Sequence, residues 1–257
     1  MNDVITMERR DKILELMKEN NYLTIQEICQ HLCFSESTVR RDLKKLERDN
    51  LIRLTRGGCM FNDHPNLETP QALRRGTNLH LKRPLARVAA EMVRDNQIIM
   101  LDCSTTVMEI IPFLKSRKNL TIITNCLTIA SLVAQQLECS LFCTGGKYNA
   151  PGASFVGYSA ERELRNWFAD IVFFSVNSID EHNGLTDQGD EVARIKKVMM
   201  EQSRQRIMLA DYTKFGRTAS YRLGSAKDMT GIITNEAPCF DEPRWSEYRK
   251  IMTFVKA

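Results

Sequence analysis

No run of apolar residues in this chain reaches the roughly 18 that a membrane-spanning helix needs. The opening residues, MNDVITMERRDK, lack the apolar core of a signal peptide, so the protein is expected in the cytoplasm with no membrane partner. Histidine is scarce, with four in 257 residues. His31, His64 and His80 all precede the strands of the larger domain described below, which leaves His182, beside Asp180 and Glu181, as the one histidine placed for acid–base chemistry there. A solvated loop is the plainer reading of His182. Cysteine is plentiful at eight, but metal-binding spacing is missing. Cys29/Cys33 and Cys139/Cys143 stand four apart, with no second pair or histidine at finger spacing, so no metal and no cofactor is expected. Apolar contexts such as Ser140-Leu141-Phe142-Cys143 suit cysteine as a small buried hydrophobe. A large excess of one charge is also missing: 36 basic against 32 acidic side chains give a net +4, too little to identify a polyanion partner.

What is present is an ordinary globular composition, 43% hydrophobic and 26% charged, in a chain longer than one domain usually needs. Two unequal domains are expected, at residues 1–60 and 81–257, with 61–80 as a linker in which Phe61-Asn62-Asp63-His64-Pro65-Asn66 carries turn formers. Arg74-Arg75 and Lys82-Arg83 read as solvated, with contact to DNA flanks as the alternative. Positive charge is concentrated at residues 40–56, where seven basic side chains face three acidic ones. Such a footprint suits phosphates, although a solvated helix face with i,i+4 pairs has the same composition.

Residues 24–58 settle between these. A first helix is expected over about 7–20, with Ile13, Leu14 and Met17 on one face. Thr24-Ile25-Gln26-Glu27 has the form of a capping box and opens a second helix. Cys33-Phe34-Ser35 makes a turn, and Ser35 caps a third helix whose Val39, Leu43 and Leu46 face inward. Ser37, Thr38, Arg40, Arg41 and Lys44 are left outside. The two short hydroxyl side chains let such a helix sit deep in the major groove, and Arg40 or Arg41 has the reach for guanine edges or for phosphates. Leu51-Ile52-Arg53-Leu54 alternates like a strand, and Arg56-Gly57-Gly58 supplies the tip of a wing, its glycines suited to positive φ and close approach to a phosphate backbone.

From residue 82 the chain alternates helix and strand, which predicts an α/β domain with a largely parallel sheet. Strands are expected at 98–101, 120–123, 141–143, 171–176, 207–210 and 231–233, with helices over about 84–94, 105–115, 127–137, 158–166 and 192–203. Polar residues gather just after the strands: Asp102-Cys103-Ser104-Thr105-Thr106, Thr124-Asn125, Thr144-Gly145-Gly146 and Asp211-Tyr212-Thr213-Lys214. Ligands bind beyond the carboxyl ends of strands in open α/β sheets. Ser104-Thr105-Thr106 opens a helix and suits a phosphate, Lys214 and Lys196 add positive charge, and Asp102 and Asn125 have the chemistry to read sugar hydroxyls. Taken singly, each cluster is also explained as a cap, a turn or a loop carboxylate. Their shared placement predicts a pocket for a phosphorylated small molecule.

The first module resembles the winged helix-turn-helix of the DeoR family of bacterial transcriptional regulators. The resemblance rests on Arg9…Ile13, Ser35-x-x-Thr38-Val39-Arg40-Arg41-Asp42-Leu43…Leu46, Leu51-Ile52 and Arg56-Gly57-Gly58. Arg56 and Cys59 stand where the family usually has histidine and alanine, and Asn50 where it often has glycine. Over about 79–235 the chain is similar to the family's sensor domain, itself similar to ribose-phosphate isomerases, glucosamine-phosphate deaminases and CoA transferases. The matching residues are Asp102…Thr105-Thr106, Thr124-Asn125, Gly145-Gly146, Ile179-Asp180…Gly184-Leu185, Ala193-x-x-Lys196 and Asp211-x-Thr213-Lys214-Phe215-Gly216. Departures are Ser104 for a loop glycine, which adds a side chain where the ligand comes closest, Ser178 before Ile179-Asp180, and Asn235 for a common aspartate.

The resemblance implies a repressor of a carbohydrate-use operon, released from double-stranded operator DNA by a phosphorylated sugar, and acting as a homodimer or larger oligomer. The rival is an isomerase, deaminase or CoA transferase with an appended DNA-binding module, since fold does not fix function.

Overall fold

A computed structural model describes residues 9–10, 12–14, 16–17, 20, 22–48, 52–55, 57–61 and 71–256. The chain divides into two units, Met1–His64 and Pro65–Ala257.

In the first unit the described residues between 9 and 17 are helical, and Ile13, Leu14 and Met17 are buried as their spacing predicts. Strand β1 (Tyr22–Thr24) leads into helix α1 (Ile25–Leu32). The capping box is formed in both directions: the Glu27 amide donates to Thr24 Oγ1 at 3.2 Å, and the Thr24 amide donates to Glu27 Oε2 at 2.7 Å. Cys33 ends α1 in the left-handed region, at φ 54°. Helix α2 (Glu36–Arg48) follows, with the Thr38 amide donating to Ser35 Oγ at 3.4 Å and Val39, Leu43 and Leu46 all buried. Strands β2 (Ile52–Leu54) and β3 (Gly58–Phe61) form the wing, but the sheet has three strands in the order β1-β3-β2. The extra strand explains Gly58. A Cβ there would lie 2.1 Å from the Leu23 carbonyl oxygen, so glycine is required for β3 to pair with β1.

The second unit begins earlier than the expected linker end. Helix α3 (Gln71–Gly76) and helix α4 (Leu79–Glu91) are both folded into it, with Gln71, Leu81 and Lys82 buried. Pro84, expected at a helix start, lies inside α4, whose stripe Leu81, Leu85, Ala86 and Ala89 packs into the core despite the missing amide. After β4 (Ile98–Leu101) comes a short α5 (Thr105–Met108), which gives way to a 3-10 turn at Ile111–Leu114. Pro112 has no amide to carry the α-helix onward, so the expected single helix is broken.

The chain continues through β5 (Thr121–Thr124), α6 (Leu127–Gln136), β6 (Ser140–Cys143) and a hairpin of β7 (Lys147–Asn149) and β8 (Ser154–Val156). Then come α7 (Tyr158–Leu164), β9 (Ala169–Phe174), β10 (Ser178–Asp180), β11 (Gly184–Asp187) and α8 (Asp190–Glu201). Strands β12 (Ser203–Leu209), β13 (Tyr221–Gly224), β14 (Gly231–Asn235) and β15 (Met252–Val255) complete it. Seven strands form one sheet in the order β15-β14-β12-β9-β4-β5-β6, and every pairing in it is parallel. Strand β15 adds an unexpected seventh member. From β4 the chain moves outward to β5 and β6, then returns to β9 on the other side and moves outward again to β12, β14 and β15. The loops after β4 and β9 therefore part at a switch point, the place where such sheets open a crevice. No helix of the described residues is long and apolar enough to cross a membrane.

Candidate DNA-binding surface and anion site

Ser35, Ser37, Arg40, Arg41 and Lys44 are exposed, and Thr38 is half-buried. Ser35 Oγ lies 3.1 Å from Ser37 Oγ and 2.9 Å from Thr38 Oγ1, a hydroxyl cluster at the start of α2. Arg40 is paired with Glu36, Nη2 to Oε1 at 2.6 Å, with both side chains well exposed. A pair of that kind is worth under about 1 kcal/mol and is readily exchanged for a phosphate. Asp42, next in sequence to the surface Arg41, is 0% exposed and receives Arg9 Nε on one oxygen and Arg10 Nε on the other. With its one buried carboxylate neutralised from within, the outer face of α2 is more basic than its composition suggests. Arg56 lies outside the described residues. Gly57 is exposed and Gly58 buried, and neither takes a positive φ. The expected use of these glycines for positive φ is therefore corrected, since Gly58 serves strand pairing.

In the second unit the clusters after the central strands converge. Asp102 is buried, accepting the Ser104 amide on Oδ1 at 3.0 Å and the Ser175 amide on Oδ2 at 3.2 Å, which ties the loops after β4 and β9 together. Lys196 Nζ donates to Asp187 Oδ2 and to the Ser175 carbonyl, both at 2.6 Å, and lies 3.4 Å from Asp102 Oδ2. Lys196 is compensated by two carboxylates and each Asp102 oxygen accepts an amide, so the pair ties the switch-point loops together.

Lys214 is placed differently. Its Nζ donates to Ser175 Oγ at 2.6 Å and to the Val176 carbonyl at 2.8 Å, with no salt bridge to a carboxylate among the described residues. Lys82, only 5% exposed, joins it: Nζ donates to Thr105 Oγ1 at 3.0 Å and to the Arg74 carbonyl at 2.6 Å, again without a salt bridge among the described residues. Asp211 is occupied by the amide and hydroxyl of Thr213. Ser104 Oγ accepts the Val107 amide at 3.1 Å. The buried Thr106 hydroxyl and Asn125 Oδ1 have no hydrogen-bond partner among the described residues, while Asn125 Nδ2 donates to the Phe155 carbonyl at 2.9 Å. Among the described residues, no hydrogen bond brings Gly145 or Gly146 into this cluster. The Gly145 amide donates to Glu163 at 3.2 Å, and Gly146, at φ 125°, would put a Cβ 2.8 Å from the Val156 carbonyl. They shape a turn two strands away from β4.

Residues 9–64 match the DeoR-like helix-turn-helix domain, and residues 77–236 match the DeoR C-terminal sensor domain. The chain belongs to the DeoR family. It is 32% identical over 90% of both chains to the transcriptional repressor AccR of Agrobacterium fabrum. It is likewise 32% identical, over 90% of this chain and 89% of the relative, to the repressor GlcR of Bacillus subtilis. The glycerol-3-phosphate regulon repressor of Escherichia coli is 27% identical over 90% of this chain and 91% of its own. Among solved structures, a ribose 5-phosphate isomerase of Methanocaldococcus jannaschii aligns with 54% of this chain and 55% of its own at 18% identity and TM-score 0.41. The sorbitol operon regulator SorC of Klebsiella pneumoniae aligns with 81% of this chain and 89% of its own at 12% identity and TM-score 0.36.

In this DeoR-family regulator, burial, reinforced by the neighbouring Lys214, pushes the Lys82 ammonium down to about 8. Burial also lowers Lys214; Asp211 opposes that, and Lys196 and Arg74 add to it. Burial acts on Lys196 as well, but Asp187 and Asp102 outweigh it and raise that lysine. The solvated placement expected for Lys82 is corrected. A signal for its burial is present in the sequence, because position 82 falls on the same helical stripe as Leu81, Leu85, Ala86 and Ala89.

Proposed function

We propose that this DeoR-family regulator is a repressor of a carbohydrate-use operon whose operator binding is relieved by a phosphorylated sugar held in the second unit. One observation carries the ligand class: two ammonium groups, the buried Lys82 and the half-buried Lys214, face hydroxyls and carbonyls without a carboxylate in salt-bridge reach among the described residues. Buried charge is stable when paired, and a phosphate monoester pairs both. Thr105 and Thr106 then supply hydroxyls to the phosphate, Asn125 an amide oxygen to the sugar, and Asp211 sets the Lys214 turn. For the ligand to act, it must prefer a state in which α2 no longer meets the operator. A symmetric dimer or larger assembly matches paired half-sites. The relatives, among them a glycerol-3-phosphate regulon repressor, support the reading. The enzyme alternative is disfavoured by the described histidines: His31 and His80 are exposed, and the His182 side chain is 87% exposed.

Two measurements test this reading. In a gel shift with the native upstream DNA, Arg41→Ala is expected to weaken operator binding by about 5- to 150-fold if it reads a base. If it meets a phosphate, it lowers the salt slope by about one. Unchanged affinity at every salt concentration would remove α2 as the reading element. In thermal shift, a phosphate ester is expected to stabilise the protein and its free sugar to have no effect.

The anion reading also fixes a pH dependence. The ligand binds the protonated form of Lys82, and the free group titrates at about 8. Phosphate-ester affinity is therefore greatest between about 6, where the ester takes its second charge, and about 8, and falls by up to about tenfold per pH unit above. Calorimetric titration across this range checks the sign. Lys82→Met is expected to weaken binding and flatten the profile, and a steep fall retained in that variant would assign the titration to Lys214.

A further inference from the structure

The three-stranded sheet of the first unit has one face that its core does not use. Strand β1 pairs so that Tyr22 stands opposite Met60 of β3, and Met60 stands opposite Arg53 of β2. Residues directly opposite one another share a face of the sheet, so Tyr22 and Arg53 belong to one row across all three strands. The next row, Leu23, Cys59 and Leu54, points the other way. Leu23 and Cys59 are buried, and Cys59 Sγ lies 3.4 Å from Met17 Sδ of the leading helical stretch. The Tyr22 row therefore faces outward, with Tyr22 45% exposed and Arg53 exposed as well. Two contacts set this row beside the residues expected to meet DNA. The Tyr22 hydroxyl oxygen stands 3.6 Å from the place a Cβ would take on Gly57, in the turn that joins β2 to β3. Glu47, near the end of α2, accepts the Leu54 amide at 2.9 Å, which fixes β2 and its Arg53 next to the basic helix. Among the described residues Arg53 makes no salt bridge and the Tyr22 hydroxyl no hydrogen bond. The three strands carry no acidic residue, so the charge of this face complements a phosphate backbone.

We propose that Tyr22 and Arg53 hold the DNA backbone beside the groove that α2 enters, Arg53 as an ionic contact and Tyr22 as a hydrogen-bond donor to a phosphate oxygen. The proposal rests on operator binding through α2, and extends it to a second surface that carries no sequence information. Arginine and tyrosine are both regular ligands of DNA phosphates. Their strands lie two interstrand spacings apart, about 10 Å, which gives each side chain its own phosphate. Neither contact touches a base edge, so both strengthen binding to the operator and to unrelated duplex alike. Salt separates the two. Arg53 displaces a counterion when it meets a phosphate, whereas the uncharged phenol does not.

The experiment uses the full chain and reads fluorescence anisotropy with the native upstream duplex and with an unrelated duplex, across a salt series. Tyr22→Phe is expected to weaken both complexes by about fivefold and to leave the salt slope unchanged. Arg53→Gln is expected to weaken both and to lower the slope by about one. The ratio of operator to unrelated affinity should stay at its wild-type value in both variants. If either variant binds both duplexes as tightly as wild type, the proposal fails while operator binding through α2 stands. A loss confined to the operator overturns the backbone role, because a phosphate contact does not discriminate between sequences. If wild type binds no DNA even at low salt, the operator reading itself falls and this proposal with it. Wild-type protein gives an independent check. Hydroxyl-radical oxidation of Tyr22 is expected to be largely lost when the operator saturates the protein, and undiminished oxidation overturns the proposal even where a variant misfolds.

Discussion

Asp42→Ala is expected to destabilise the DNA-binding unit by about 3 kcal/mol and to weaken operator binding, although Asp42 does not reach the protein surface. Its carboxylate is fully buried in α2 and joins two guanidiniums of the leading helical stretch, Arg9 on one oxygen and Arg10 on the other. Removing one member of a buried ion pair typically costs about 3–5 kcal/mol, because the remaining charge is stranded. Both arginines are partly exposed and can turn to water, which places the expected loss near the low end, about 3 kcal/mol. A unit of this length has a total stability of only about 3–9 kcal/mol. The loss is therefore a large share of the whole. Hydrogen exchange over α2 should rise steeply in the variant while phosphate-ester stabilisation of the second unit persists. Arg40→Ala, which removes the exposed pair with Glu36, is expected to change stability by less than about 1 kcal/mol. Equal effects from the two substitutions would show that the Asp42 cluster is solvated.

The same residue marks where the sequence stops being readable. Periodicity places α1, α2 and their inner stripe, and the Thr24–Glu27 capping box is legible because all its partners lie within four residues. By composition Asp42 is one more charge on a basic helix. Its position, three after Val39 and four before Leu46, puts it on the inner stripe, but its partners stand 33 and 32 residues away. Lys82 repeats the pattern on α4, with its Thr105 partner 23 residues distant. A charge on an apolar stripe can be noticed locally, but what neutralises it depends on topology. The alternation of helix and strand locates six of the seven strands of the parallel sheet, together with the polar residues that follow them. Which lysine at the site has a carboxylate partner is not legible, since Lys196 is paired with Asp187 and Asp102 while Lys214 makes no salt bridge among the described residues. Strands β1 and β15 escape the sequence pattern because three or four residues leave no period to detect, and their pairing partners are remote.

The second large effect is expected at Lys196, and it separates holding a site from touching a ligand. Lys196→Met leaves Asp187 without its ammonium partner, removes a cation from Asp102, and deprives the Ser175 carbonyl of a donor. The expected cost to the second unit is about 3–5 kcal/mol, read from its denaturation midpoint. Asp102 keeps the Ser104 and Ser175 amides, so most of the penalty falls on Asp187. The double variant Asp187→Asn, Lys196→Met is accordingly expected to recover about half the loss or more, because deleting both charges strands less than deleting one. Ligand affinity should fall with stability in the single variant, since Ser175 also receives Lys214 and a displaced loop misplaces that ammonium. Restoring the loop in the double variant should restore much of the affinity without restoring the lysine. A ligand that touched Lys196 directly would behave oppositely: the double variant would regain stability and still bind no better than the single one.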